Sequence, residues 1–264
     1  DMRSSALISR QGSIDWFCLP KFDSASIFGR LLDWNRGGHF KLAPVGDFTV
    51  NRRYIPRTNV LETTFKTGSG VSKLTDFMPI YGNRFNANLP DTADGNPRLI
   101  RTFECISGTT QFLMECYPRF YYGNITPRPI LTNEHFGVIE GDNYQISLAC
   151  SAPMSEWNNG LRAEGRLDTS RKIHVLLYSD EQSRPNNAKV FSFDDLELTL
   201  NKTIDSWNMW SSAGTYSGID QDAVERSALT LKALTYQPAG GFVAAPTTSL
   251  PEQIGGVRNW DYRY

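Results

Sequence analysis

The chain has 264 residues, 40% hydrophobic and 21% charged, with 27 basic against 28 acidic side chains. That size holds one large or two ordinary domains, and a net charge of −1 gives no electrostatic footing for nucleic acid or an anionic membrane surface. No apolar run approaches the roughly 20 residues of a transmembrane helix. Asp1 opens directly into strand-like sequence without a charged-then-apolar leader, which predicts a cytoplasmic protein. Cys18, Cys105, Cys116 and Cys150 are far apart among apolar neighbours, and His39, His135 and His174 do not gather beside them. The expectation is free buried thiols, with neither disulfides nor zinc.

From Ser4 to about Ser192 the pattern is β almost throughout. Alternating or β-branched runs predict strands at Ala6–Ser9, Ile14–Leu19, His39–Leu42, Phe48–Tyr54, Val60–Thr67 and Val71–Met78. Further runs are Arg98–Ile106, Thr110–Tyr117, Phe136–Glu140, Tyr144–Cys150, Leu161–Leu167 and Ile173–Tyr178. Gly68-Ser69-Gly70, Ser107-Gly108 and Gly141-Asp142-Asn143 read as hairpin turns, because these residues accept positive φ at little cost. So many short strands at regular spacing predict a mainly β fold, a large antiparallel β-sandwich. The early interruption at Ser24–Asp33 is expected to hold one helical turn, and Tyr81–Pro97 a long loop or lid.

Polar, Pro-containing sequence at Glu181–Lys189 marks the expected end of the sandwich, giving residues 1–190 as the first domain. The period then changes from two to about 3.6. Phe193-Asp194-Asp195 offers an N-cap, and Leu196, Leu200, Ile204, Trp207 and Trp210 form the stripe of a linker helix within 191–218. A second helix is predicted at Asp220–Tyr236, its stripe formed by Val224, Ala228, Leu231 and Leu234, opening a segment at 219–264.

Residues 258–264 are a dense cluster of Arg258, Asn259, Trp260, Asp261, Tyr262, Arg263 and Tyr264. Aromatic faces and paired donors and acceptors suit a pyranose ring, whose C–H faces stack while its hydroxyls hydrogen-bond. Composition leaves two readings open, a sugar site or a core edge whose aromatics pack. Asp15-Trp16 pairs a carboxylate with an aromatic and is expected to be a strand-edge Asp beside a core Trp, with pocket trimming as the sharper alternative. Asp76 reads as a strand-end hydrogen-bonding residue, and Glu62, Glu104 and Glu115 as solvent-facing.

GGVRNWDYRY at the end of the chain resembles the start of the catalytic domain in glycoside hydrolase family 15, which includes glucoamylases, glucodextranases and a trehalase branch. Gly12–Asp33, Gly37–Pro44, Arg52–Thr67, Leu74–Pro79 and Arg226–Tyr264 resemble further blocks of that family. The resemblance implies a super-β-sandwich, a linker helix and the first helix of a six-hairpin α/α barrel, truncated here. It implies an inverting exo-acting enzyme that releases glucose from α-glucans, with trehalase as the alternative. It also implies two catalytic glutamates downstream of Tyr264, hence no catalytic residue in this chain, and Tyr262, Trp260, Asp261 and Arg258 as substrate-binding residues. No cofactor and no metal are implied. The expected partners are an α-glucan or trehalose and the remainder of the catalytic domain, and homo-oligomerisation stays open. The alternative of another class is a non-catalytic carbohydrate-binding or structural sandwich.

Overall fold

The computed structural model describes residues 2–80, 98–179, 193–247, 253 and 255–257. The strand pairs among these are antiparallel and fall into two layers. The first pairs β1 (Ala6–Ile8), β2 (Ser13–Cys18), β4 (His39–Pro44), the far half of β8 (Arg98–Tyr117), β13 (Gly160–Asp168) and β12 (Ser155–Trp157), with β3 (Ser26–Phe28) also on β2. The second runs β5 (Thr49–Tyr54), β6 (Leu61–Lys66), β7 (Gly70–Phe77), the near half of β8, β14 (Lys172–Tyr178), β11 (Tyr144–Cys150), β10 (Phe136–Gly141) and β9 (Arg128–Asn133). The expected mainly β, antiparallel sandwich is what the chain forms.

β8 belongs to both layers. Its residues up to Gly108 pair with β7 and β14, and those from Thr109 onward pair with β13 and β4. Ser107-Gly108 is therefore a crossover within one strand and not the expected hairpin. Gly108 has φ +70, and a Cβ there would stand 2.3 Å from the Ser69 carbonyl oxygen. A glycine at positive φ serves a bulge as readily as a turn, so the local sequence does not separate the two outcomes. Strands that change layers in this way make the corners of sandwiches.

The alternation along β8 and β14 builds two cores. Leu99, Phe103, Val175 and Leu177 point between the layers, where they meet Phe40, Phe65, Phe112 and Met114. Ile100, Leu176 and Tyr178 point outward and meet Leu196, Leu200 and Ile204 of α2 (Leu196–Ser211). Arg101, fully buried, crosses between the layers: its Nε donates to Asp76 Oδ1 at 2.8 Å, and its Nη atoms donate to the Phe40 and Gly12 carbonyls at 2.7 and 2.8 Å. Asp76 is thus the hydrogen-bonding residue expected of it, with a buried guanidinium as its partner.

Several expectations are corrected. Ser26-Ile27-Phe28 is strand β3, all three residues buried, because edge pairing with β2 captures a segment too short to hold a helix by itself. Glu62 is buried and ion-paired with Arg53 and Lys73, and Glu115 is half-buried beside His39, so cross-strand charges replace water around them. β9, β12 and the single irregular turn α1 (Phe120–Gly123) were not expected. β9 carries Pro129 and β12 is wholly exposed, so neither shows the alternation of a buried strand. All four cysteines are free and buried, and burial pushes the Cys150 thiol up to about 12. The expected loop at 81–97 and the boundary at 181–189 lie outside the described residues.

The helical segment also differs from expectation in detail. In α2, Leu196 and Trp207 are buried as the stripe required. Asp195 occupies the cap position but makes no side-chain cap hydrogen bond, and the side chain of Asp194 lies outside the described part. In α3 (Gln221–Ala233) the buried residue is Leu229, while Val224 and Leu231 of the predicted stripe are 40% and 56% exposed.

Candidate functional site

The segment that leads toward residues 258–264 is fixed where α3 meets the sandwich. The turn from Ile55 to Val60 between β5 and β6 holds its shape internally, as Thr58 Oγ1 donates to the Ile55 carbonyl at 2.9 Å and accepts from the Val60 amide at 3.0 Å. It presents its polar groups to α3. Arg226 Nη1 donates to the Thr58 carbonyl at 2.7 Å, and a second Nη bonds the Asn59 side chain. Asn59 Nδ2 donates to the Leu229 carbonyl at 2.9 Å, and Arg57 pairs with Glu225 at 2.9 Å. The Arg226 guanidinium lies 4.2 Å over the Tyr54 ring. Burial lowers its pKa, with Tyr54 and Glu225 opposing, and it stays charged far above neutrality.

Past α3 the chain is tied to the N-terminal strands of the sandwich. The Gln237 amide donates to the Met2 carbonyl and the Val243 amide to the Leu234 carbonyl, both at 2.9 Å. Tyr236 meets Phe22 edge-on at 6.4 Å between ring centroids. Trp16, fully buried, donates its indole N–H to the Pro246 carbonyl at 2.8 Å. Asp15 beside it accepts from the Ser13 hydroxyl at 2.6 Å and lies 3.9 Å from Arg30. Trp16 is the core Trp expected, whereas Asp15 lies within β2, flanked by β1 and β4, and not at a strand edge; its partners are polar, so it is not a carboxyl in an apolar wall.

Between sandwich and helices lies a cavity of about 400 Å³, whose walls include Tyr54, Asn59, Thr203, Trp207, Leu234 and Pro246. Among the described residues lining it, Asp76 is the one carboxylate, and it is engaged by Arg101. Glycoside hydrolysis needs two carboxyl groups flanking the bond, and the described lining of this cavity does not supply that pair.

Residues 1–175 match the family described as Trehalase-like, N-terminal. The chain belongs to this family. Residues 218–264 match Glycosyl hydrolases family 15, in keeping with the resemblance carried by the terminal motif. The chain is 34% identical over its whole length to a protein named Trehalase from Mycolicibacterium smegmatis, of which it covers 41%. It is 35% and 36% identical to proteins of the same name from Thermoplasma volcanium and Thermoplasma acidophilum, over 99% and 98% of the chain and 40% and 43% of those proteins. This trehalase-like N-terminal chain thus spans about two-fifths of the curated relatives it matches. A putative kojibiose phosphorylase from human microbiome aligns over 89% of the chain and 40% of its own, at 11% identity and a TM-score of 0.43, too distant to carry an argument.

The four residues expected to bind substrate, Arg258, Trp260, Asp261 and Tyr262, lie outside the described residues. What the structure of this trehalase-like domain adds is the anchorage of the segment before them. Sequence reasoning missed Arg226, Asn59 and the tie from Trp16 to Pro246. Their partners are separated by 168, 170 and 230 positions, beyond the reach of any local pattern.

Proposed function

We propose that the full-length protein is a glycoside hydrolase that cleaves trehalose by inversion. The observation that carries the reading is the similarity across the whole chain, at 34–36% identity, to three proteins named Trehalase. The α-glucan substrate drawn from the sequence becomes the second reading, supported by membership of a family that also holds glucoamylases. In this proposal the sandwich braces a helical catalytic domain, and Arg258, Trp260, Asp261 and Tyr262 line its pocket. The acid and base are glutamates outside this chain, and no cofactor takes part. The outward-facing Val224 and Leu231 on α3 are the surface on which the remainder of that domain packs.

An inverting hydrolase sets its two carboxyl groups roughly 6.5–9.5 Å apart so that a water reaches the anomeric carbon from the far face. Trehalose joins two α-anomeric carbons, so attack at one gives β-glucose while the other glucose leaves as α. The test is proton NMR of the full-length protein's first turnovers. With trehalose, α- and β-glucose accumulate in equal amounts, and maltotriose is left intact. Rapid release of β-glucose from maltotriose with trehalose untouched would replace the first reading with the second. Cleavage of neither would remove both.

A further inference from the structure

The turn α1 carries an aromatic group that the family resemblance did not single out. Its ends close on themselves, because Phe120 and Ile125 exchange backbone hydrogen bonds at 3.1 Å in both directions. Inside, Tyr121 (φ 51, ψ 56) and Tyr122 (φ 60, ψ 32) are both left-handed, and Gly123 follows at φ +87. Non-glycine residues with bulky side chains rarely enter this region, and backbone held there is characteristic of sites where side-chain placement matters.

The effect of the turn is to set aromatic rings side by side. Tyr121 and Tyr122 lie 5.7 Å apart between centroids, and Tyr122 lies 6.3 Å from Trp16. Tyr121 lies 6.4 Å from Tyr144, which is itself stacked on Phe120 at 5.6 Å. Tyr121 remains 50% exposed. Burial raises the Tyr144 phenol above its ordinary pKa, and the neighbouring Tyr121 and Tyr122 add to the shift, as crowded phenol groups must.

Tyr144 also forms one wall of a groove of about 460 Å³, within the range of small-molecule sites, about 300–1,000 Å³. The other walls are polar, with Thr126, Arg128, Glu140, Asp142, Asn143 and Gln145 supplying hydroxyl, guanidinium, carboxylate and amide groups. Arg128 and Glu140 pair at 2.6 Å, which fixes both across β9 and β10. The chemistry narrows the ligand. Two carboxylates disfavour a phosphate or other anion, and the polar lining disfavours a purely apolar molecule. A neutral ring with one apolar face and many hydroxyls satisfies both walls.

We propose that the tyrosine turn and the adjoining groove form a saccharide-binding site on the sandwich, with a pyranoside stacked on Tyr121 and Tyr144 and its hydroxyls held by Asn143, Asp142 and Glu140. The site stands on its own chemistry and does not rest on the trehalase reading. It is tested with full-length protein carrying 3-fluorotyrosine, with the fluorine signals of Tyr121 and Tyr144 assigned by single Phe replacements. The probes are sulfur-linked analogues of trehalose and of maltose, and glucose 6-phosphate as the anionic comparison. Both signals shift saturably with at least one neutral analogue. Asn143→Ala weakens that response at least fivefold, and Tyr121→Asn, which keeps a residue tolerant of left-handed backbone, abolishes the response at Tyr144. Signals unmoved by both neutral analogues, or moved by the sugar phosphate alone, overturn the site. Glucose release from trehalose and from maltotriose, measured on the same protein without the analogues, separates the two ideas: turnover without shifts sinks this one, and shifts without turnover of either sugar sink the hydrolase.

Discussion

The two long helices meet the sandwich in different ways. α2 lays an apolar stripe on the outer face of the second layer, where Leu196, Leu200 and Ile204 cover Ile100, Leu176 and Tyr178. α3 packs Leu229 and Ala233 in a small cluster with Ile80 and with Trp207 of α2, and meets the sandwich by polar contacts, with Arg226 and Asn59 at the β5–β6 turn and Arg57 paired to Glu225. Apolar burial is non-directional and scales with area, so it secures α2 without specifying its angle closely. Hydrogen bonds and a stacked guanidinium fix direction at a smaller net gain each, about 0.5–1.5 kcal/mol, or 1.5–3 to a charged group. The difference teaches that α2 finishes the sandwich, whereas α3 is aimed, with one apolar side left facing outward.

The comparison breaks most sharply inside the sandwich. Asp76→Ala would strand the Arg101 charge between the layers and is expected to cost about 3–5 kcal/mol, read as a lowered urea midpoint. A cost under about 1 kcal/mol would mean that the guanidinium finds other acceptors. Next in size, Arg226→Ala removes the bonds to Thr58 and Asn59 and the stack on Tyr54, at about 1–3 kcal/mol. Its effect is confined to α3: amide exchange speeds up from Leu229 to Ala233 and stays unchanged in β7 and β14. Equal acceleration in those strands would show that α3 and the sandwich open as one unit.

The smallest effect concerns pH. His174 bonds Thr102 at 3.0 Å and stacks on Phe193 beside α2. Burial first, and then Lys172, hold its pKa below the ordinary 6.5, with Glu197 and Glu104 pulling the other way. The unfolded chain therefore takes up a proton that the folded chain refuses. This contribution is whole above about 6.5 and fades as pH falls through the lower folded value. Urea midpoints at pH 7.5 and 5.5 should diverge less in His174→Gln than in the wild type, and equal divergence would show that His174 does not carry the acid sensitivity of this range.

The sandwich was largely legible because alternation and turn glycines are local signals. β14 reads inward and outward by turns from Ile173 to Tyr178, and the Gly141↔Tyr144 register closes on the predicted Asp142-Asn143 turn. Legibility failed where the deciding partner was distant. Nothing near Ser26-Ile27-Phe28 announces that β2 will capture it, and nothing near Asp76 announces Arg101, 25 positions on. In α3 the apolar stripe was visible, but periodicity does not state which side the sandwich takes. For the expected sugar-binding cluster, sequence supplied residue types and the structure supplies only the approach, through the tie from Trp16 to Pro246.

β8 has one further consequence. Because a single unbroken backbone is rooted in both layers, with its crossover clamped at Gly108 against Ser69, neither layer can be shed as a module. Heat or force is expected to melt the pair in a single calorimetric event, and a domain recombined or trimmed at that crossover would lose both layers together.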